Sequence, residues 1–206
     1  MRELWVEKYR PTNITEYVFR DDKQRNQVSN WVKSGAIPHL LFSGGAGTGK
    51  TTLAKVLLNE LNVDAGDIMI INASNENNVD TMRTKIQGFA SSFPFSGEFK
   101  YVLLDEADYL SQNAQAILRN MMETFSTTCR FILTCNYPNK VIPAIHSRCQ
   151  GYHIEKLDQT EFTVRVATIL LTEETEFVPE DLDIYVKSTY PDLRKCINMV
   201  QQNIVD

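Results

Sequence analysis

Residues 44–51 carry the pattern of a phosphate-binding loop. They read Gly-Gly-Ala-Gly-Thr-Gly-Lys-Thr and fit the spacing G-x-x-x-x-G-K-[ST] without a gap. Glycines let the backbone turn tightly and direct its N–H groups at phosphate oxygens. Lys50 supplies a mobile charge for the β- and γ-phosphates, and the Thr51 hydroxyl is a ligand for Mg²⁺. The predicted phosphate-site residues are Gly44, Gly45, Ala46, Gly47, Thr48, Gly49, Lys50, Thr51 and Thr52.

The flanking sequence supports this interpretation over an ordinary glycine-rich turn. Residues 39–43 form a short apolar run typical of a strand, and residues 52–58 have the composition of a helix. A helix that starts at the loop turns its positive N-terminal end toward the phosphates.

Two adjacent carboxylates follow a second apolar run, residues 101–104. We expect Asp105 to hold Mg²⁺, directly or through water, and Glu106 to polarise the attacking water as general base. The alternative is a solvated turn, which the preceding phosphate loop disfavours. Asp105-Glu106-Ala107-Asp108 also spells the signature of DEAD-box RNA helicases. Those enzymes need a second wound domain of similar size, for which this chain leaves no room.

Asn136 follows another apolar strand candidate, residues 131–134. In a wound sheet that strand can lie beside the Asp105 strand, so that Asn136 reaches the γ-phosphate or its water. The alternative is a turn-forming Asn before Tyr137-Pro138. Arg148 and Arg194 are isolated arginines, a type usually found solvated at the surface.

Length, charge and cysteine content exclude several classes of protein. The chain has 206 residues and a net charge of −5, so it is not a polycation that binds nucleic acid indiscriminately. Its four cysteines contain no C-x-x-C pair and support neither zinc nor a disulfide framework. No apolar run approaches the roughly 20 residues that span a bilayer. Without an N-terminal apolar stretch of the signal-peptide type, we expect a cytoplasmic protein without a membrane partner.

Strand and helix patterns alternate along most of the chain, which predicts an α/β fold with a wound, mostly parallel sheet. The five strand candidates lie at residues 40–42, 68–71, 101–104, 131–134 and 152–154. Apolar residues recur at helical spacing from Val79 to Phe93 and from Ala114 to Phe125. Three amphipathic helices are predicted at residues 159–171, 179–188 and 192–204. We therefore expect an ATPase domain over residues 1–155 and a small helical lid domain over residues 156–206, hinged near residues 155–158.

Together these motifs resemble the sliding-clamp-loader group of AAA+ ATPases along the whole chain. The group includes the small subunits of replication factor C and, with a closer likeness, the large clamp-loader subunit of tailed phages. The most specific match is Trp5-Val6-Glu7-Lys8-Tyr9-Arg10-Pro11, which corresponds to the group's N-terminal signature. The other matching segments are residues 37–42, 72–75, 105–108, 147–149 and 191–195.

The resemblance implies roles that the residues alone do not. Val6, Arg10 and Val18 would border the adenine of ATP, and Asn136 would be the sensor 1 residue. Arg194 would be sensor 2, contacting the γ-phosphate of its own subunit's ATP from the lid. Arg148 would be the arginine finger, which reaches the ATP of the neighbouring subunit, where such an arginine contributes roughly 10³–10⁵ in rate. The implied cofactors are ATP and Mg²⁺.

The resemblance also assigns DNA contact to the helix near residues 79–93. Asn77, Asn78, Arg83 and Lys85 offer polar donors and two cations on or near its exposed face. Because no aromatic residue is interleaved for base stacking, we expect contacts to the backbone without sequence preference. The alternative is a solvated helix face.

The implied function is that of an ATPase subunit that loads a sliding clamp onto primer–template DNA during replication, stimulated by DNA. Its partners would be other clamp-loader subunits in a ring, the clamp and the DNA, in a cellular or a phage-infected cytoplasm. Relatives continue beyond the lid into a helical collar, and the sequence stops at Asp206, where the collar would begin. The alternatives are another AAA+ DNA motor, of the branch-migration type, and a collarless ATP-binding adaptor.

Overall fold

The computed structural model describes residues 3–75 and 79–204. The strands are β1 Leu40–Gly44, β2 Ile68–Asn72, β3 Lys100–Asp105, β4 Cys129–Cys135 and β5 Gln150–Ile154. The helices are α1 Trp5–Lys8, α2 Asp22–Ser34, α3 Lys50–Glu60, α4 Val79–Ala90, α5 Gln112–Thr124, α6 Pro143–His146, α7 Gln159–Thr172, α8 Pro179–Thr189 and α9 Leu193–Ile204. Each of the five predicted strands is present, and the three predicted C-terminal helices agree with α7, α8 and α9 to within one residue at each end.

The strands form one five-stranded sheet in the order β2-β3-β4-β1-β5. β3 pairs in parallel with both β2 and β4, and β4 pairs in parallel with β1. The predicted wound parallel sheet is therefore confirmed. Because parallel strands end at one edge of a sheet, this order places the carboxyl ends of β3 and β4 side by side, and polar residues follow both strands.

Contacts divide the chain into two compact units. The first, here called the sheet unit, comprises Trp31–Gly44 and Leu58–His153. The second, here called the pocket unit, comprises Met1–Asn30, Gly45–Leu57 and Ile154–Asp206. The phosphate loop thus groups with the N-terminal segment and the C-terminal helices. The division into an ATPase domain and a lid domain at residue 155 remains a prediction.

The core of the sheet unit forms where α4 and α5 cover the buried strands. Met82, Ile86 and Ala90 of α4 are buried at helical spacing, as are Ala114 and Leu118 of α5. Burial of each large apolar side chain contributes about 1.5–3 kcal/mol.

The apolar pattern of α4 did not predict where this helix ends. The expectation that it continues to Phe93 is wrong, because α4 ends at Ala90 and the Phe93 side chain is 90% exposed. Phe93 precedes Pro94, and the residue before a proline is disfavoured in a helical conformation.

In the pocket unit, the N-terminal segment is fastened to the helices. α1 packs against α9, where the Trp5 N–H donates to Gln201 Oε1 at 3.0 Å. The Tyr9 hydroxyl donates to Glu173 at the end of α7 at 2.5 Å. Lys8 pairs with the same carboxylate at 2.6 Å, and these two hydrogen bonds lower the pKa of Glu173. The N-terminal motif is thereby held in place by residues far away in sequence.

The helices of the described ranges are too short or too polar to cross a lipid bilayer.

Candidate active site

A pocket with about 600 Å³ of empty space lies in the pocket unit. Its walls come from the N-terminal segment, the phosphate loop, the start of α3, the segment after β5, α7 and α9. Eight predicted site residues line it: Val6, Arg10, Val18, Gly47, Thr48, Gly49, Thr52 and Arg194. The mixture of apolar walls with a few polar groups is typical of a small-molecule site.

The remaining predicted residues of the phosphate loop are adjacent in sequence to the loop residues that line this pocket. Gly44 is the last residue of β1, and Gly45 and Ala46 are exposed. Lys50 and Thr51 are the first two residues of α3. Since the first N–H groups of a helix lack intrahelical partners, this helix start offers donors for an anion.

Two glycines of the loop could not be replaced by another residue without strain. Gly47 has φ +69°, and a Cβ there would lie 1.8 Å from Oδ1 of Asp192, the residue before α9. Gly49 has φ +89°, and a Cβ there would lie 3.0 Å from the Tyr17 ring. Asp192 and Tyr17 therefore pack directly on the loop backbone, and the Tyr17 hydroxyl donates to Gly49 O at 3.1 Å.

Polar side chains of the loop bond to its own backbone. Lys50 Nζ donates to Gly45 O at 2.6 Å, and Thr48 Oγ1 donates to the same carbonyl at 2.8 Å. Lys50 is buried although it carries a charge. A charged amine at this position is expected to exchange a carbonyl for a more strongly bonding anionic oxygen.

Sequence reasoning missed seven residues of the pocket wall. They are Tyr9, Pro11, Tyr17, Leu157, Arg165, Leu193 and Ile197. Tyr9 and Pro11 belong to the same motif as Val6 and Arg10 and could have been inferred from it. Arg165 had no signal in the sequence: its Nη2 donates to Tyr9 O at 2.7 Å, and burial lowers the pKa of its guanidinium.

The predicted acids lie in the sheet unit, at the carboxyl end of β3. Asp105 ends the strand, and Glu106 follows in a left-handed conformation with φ 59° and ψ 43°. The Glu106 N–H donates to Thr134 Oγ1 of β4 at 3.0 Å, and the Thr134 hydroxyl donates to Asp105 Oδ1. Non-glycine residues in this conformation are uncommon and concentrate at functional sites.

Asn136 directly follows β4, as predicted, and its backbone is fixed by the nearby acidic turn. Asp108 Oδ2 accepts the N–H groups of Asn136 at 3.2 Å and of Tyr137 at 3.0 Å. The ends of β3 and β4 thus hold each other through side chains from both strands.

Arg148 lies just after α6 and is paired within this chain. Its guanidinium donates to the Glu123 carboxylate on α5, and its Nη1 donates to Ala144 O at 2.9 Å. The hydrogen bond from Arg148 lowers the pKa of Glu123.

The candidate DNA-contacting residues Arg83 and Lys85 are exposed on α4, whereas Met82 and Ile86 of the same helix are buried. Asn77 and Asn78 lie outside the described residues.

The donor chemistry at the predicted metal site suits Mg²⁺. Thr51, in the pocket unit, and Asp105, in the sheet unit, are the predicted ligands, and each carries a hard oxygen of the kind that Mg²⁺ prefers. Among residues 3–75 and 79–204, no three or more His, Cys, Asp or Glu side chains cluster as a metal site. Few protein ligands are typical of Mg²⁺, which keeps waters and binds substrate phosphates.

Comparisons with known proteins agree with this geometry. The profile of the ATPase family associated with various cellular activities (AAA) matches residues 40–157, more than half of the chain. The replication factor C small subunit of Methanoregula boonei is 42% identical over 201 residues, which is 96% of this chain and 62% of the relative. That of Picrophilus torridus is 40% identical over 204 residues, with coverage of 98% and 64%. The chain therefore spans less than two thirds of the length of these relatives.

Solved structures share the fold at much lower identity. The RuvB Holliday junction branch migration motor of Thermotoga maritima superimposes with a TM-score of 0.78 at 16% identity, covering 94% of this chain and 64% of that one.

Proposed function

Because this chain belongs to the AAA family of ATPases, we propose that it is a motor subunit of a DNA sliding-clamp loader, which binds and hydrolyses ATP. The observation that carries the proposal is the pocket in which the phosphate loop meets the N-terminal motif and the start of α9. The similarity of the chain to a replication factor C small subunit, at 42% identity over 96% of this chain, supports the clamp-loader role.

ATP binding divides between the two sides of this pocket. Val6, Arg10 and Val18 border the adenine, where buried apolar neighbours such as Ile197 exclude water from the base. The loop N–H groups and Lys50 hold the β- and γ-phosphates. Arg194, in the first turn of α9, contacts the γ-phosphate and so couples the C-terminal helices to the bound nucleotide.

Hydrolysis uses the acids at the end of β3. Thr51 and Asp105 would hold Mg²⁺, which would supply positive charge close to the phosphate oxygens. Glu106 accepts a proton from the attacking water, and Asn136 orients that water or the γ-phosphate. The left-handed backbone of Glu106 supports this role, since such strain persists where the surroundings hold a residue in place for function.

Arg148 acts in trans. In an assembly of like subunits it leaves Glu123 and reaches the ATP of the neighbouring subunit, where its charge stabilises the transferring phosphoryl group. Hydrolysis then depends on correct assembly.

DNA contact is assigned to α4. Arg83 and Lys85 are both exposed on this helix and would meet phosphates of primer–template DNA held in the centre of the assembly. DNA bound in this way stimulates the ATPase by aligning neighbouring subunits.

We assign binding of the sliding clamp to the aromatic loop, residues 91–99. Phe93 and Phe95 are 90% and 78% exposed, although the loop itself is anchored. Buried Asp67 accepts the N–H groups of Phe95 at 2.8 Å and Ser96 at 2.9 Å. A rigid loop that presents aromatic rings to solvent is typical of a protein-docking surface.

A branch-migration motor is the second candidate, favoured only by the shared fold with RuvB. A likeness at 16% identity supports a fold rather than an activity. The relatives with about 40% identity are replication factor C small subunits.

The proposal is tested by two substitutions that should differ in their effect on ATP binding. Glu106→Gln removes the base and keeps Asp105, so it should leave affinity for a fluorescent ATP analogue unchanged and abolish hydrolysis. Lys50→Ala removes the phosphate-binding charge and should weaken binding itself. Single-turnover hydrolysis near the wild-type rate in Glu106→Gln would exclude Glu106 as the base.

A further inference from the structure

The hydroxyl of Thr134 joins two residues to which the proposed function gives different tasks. It donates to Asp105 Oδ1, the side chain of the proposed metal ligand, and accepts the backbone N–H of Glu106, the proposed base, at 3.0 Å. A hydroxyl has one donor and two acceptor sites, so it can make both hydrogen bonds at once. One atom of β4 therefore fixes both members of the acid pair on β3.

The position of Thr134 makes this link rigid. The residue is 1% exposed, and it lies one step beyond the last pair of the β3–β4 ladder, Leu104 with Leu133. A β-branched side chain in a strand has few rotamers available, so its oxygen has a narrow range of positions. Burial also strengthens hydrogen bonds by removing competing water.

The Glu106 backbone depends on such an anchor. A left-handed conformation costs a non-glycine residue of order 1–3 kcal/mol and persists only when its surroundings enforce it. Thr134 binds the Glu106 N–H, and the N–H of Tyr109 closes the turn on Glu106 O at 3.0 Å. These two bonds hold the peptide groups on either side of the Glu106 Cα, and so set the direction in which its side chain leaves the chain.

We infer that Thr134 is a positioning residue for ATP hydrolysis: it holds the metal-binding carboxylate and the base in one fixed arrangement. The inference rests on the proposed function of Asp105 and Glu106. It adds that hydrolysis requires a hydroxyl on β4 at this position.

Thr134→Val tests the inference, because it keeps the shape and removes the hydroxyl. We expect kcat to fall about 10–100-fold, the usual effect of losing a partner of a metal ligand, while KM for ATP changes less than about threefold. Thr134→Ser retains both hydrogen bonds and should stay within about threefold of wild type. Thr189→Val is the matched control, since it removes another buried hydroxyl, from α8.

A second readout does not depend on turnover. Mn²⁺ bound with a non-hydrolysable ATP analogue is titrated by electron paramagnetic resonance. Thr134→Val should weaken Mn²⁺ binding about tenfold, whereas Thr134→Ser and Thr189→Val should leave it unchanged. Circular dichroism checks folding, and Thr134→Ala replaces Thr134→Val, with the same expectations, if the valine variant does not fold.

The outcomes separate the inference from the function on which it rests. Wild-type kcat and Mn²⁺ affinity in Thr134→Val would overturn the inference while Glu106→Gln still abolishes hydrolysis. A fall in kcat with unchanged Mn²⁺ affinity would also overturn it, since the metal ligand would not depend on Thr134. Full hydrolysis by Glu106→Gln would instead refute the proposed function.

Discussion

The guanidinium of Arg148 donates a hydrogen bond to the carboxylate of Glu123 in the same subunit. The side chains are 29% and 51% exposed, so water and salt screen the pair. Exposed ion pairs contribute about 0–1 kcal/mol, whereas an arginine in trans contributes roughly 10³–10⁵ in rate. The proposed finger can therefore leave Glu123 when a neighbour presents its nucleotide.

The first prediction follows from a finger that acts in trans. ATPase activity per subunit should rise with protein concentration, because association supplies Arg148 to each site. Arg148→Ala should remove this rise and leave the rate in dilute solution nearly unchanged. Glu123→Gln should shift the rise to lower concentration, by at most about fivefold.

The measurement is the ATPase rate against concentration, with light scattering to report association. Glu180→Gln, which removes a charge from the exposed start of α8, is the control for Glu123→Gln. A fast rate that does not vary with concentration in a confirmed monomer would contradict action in trans.

The second prediction concerns the exposed face of α4. Replacing Arg83 and Lys85 together with Ala should weaken binding of the assembled protein to primer–template DNA. It should also reduce the slope of log K against log salt by about one to two, one for each phosphate that the variant no longer neutralises. Fluorescence anisotropy at several salt concentrations measures both. If affinity and slope are unchanged, α4 does not contact DNA and is an ordinary solvated helix.

The third prediction concerns the aromatic loop. Phe93→Ser should weaken binding to the sliding clamp encoded in the same genome by about tenfold or more, because it removes a large apolar side chain from the docking surface. Basal ATPase activity and thermal stability should not change, since the side chain is almost fully exposed. Leu171→Ser, at a 67% exposed position of α7, is the control. Equal clamp affinity for Phe93→Ser and wild type would place the clamp-binding surface elsewhere.

The fourth prediction is a loss of stability in mild acid that arises from His39. Burial, with a smaller effect of the Arg130 charge, lowers the pKa of this imidazole from 6.5 to about 4, and its Nδ1 accepts the Phe131 N–H at 3.1 Å. Between these two pKa values the unfolded chain binds more protons than the folded one. The contribution of neutral His39 to the free energy of unfolding is therefore fully present above pH 6.5 and decreases as the pH falls toward 4.

Urea unfolding at pH 7 and pH 4.5 measures this effect. The His39 contribution should fall by about 2 kcal/mol after allowance for solvent screening. His39→Gln should reduce the pH dependence by that amount. An identical pH dependence in wild type and His39→Gln would contradict the assignment.

The sequence predicted those parts of the fold that depend on local pattern. Short and mostly apolar runs marked all five strands, and Pro179 marked the start of α8. The pattern failed at Phe93, where periodicity alone ignored the conformational restriction from Pro94. A single periodic signal does not distinguish a buried side chain from one that a loop presents to solvent.

The site was predictable only where a short motif carried it. The phosphate loop and the acid pair could be identified because their chemistry needs fixed residue types at fixed spacing. Arg165, Thr134 and Glu123 belong to no such pattern. Their contacts depend on chain packing that joins residues far apart in sequence, as in the bond from Arg165 to Tyr9.

The central claim is that ATP hydrolysis serves clamp loading. The most direct test is the steady-state ATPase rate of the protein alone, with the clamp, with primer–template DNA, and with both. We expect clamp and DNA together to raise the rate by more than the product of their separate effects, and Glu106→Gln to abolish the activity under every condition. A rate that is the same with and without clamp and DNA, at concentrations where both are bound, would contradict this claim.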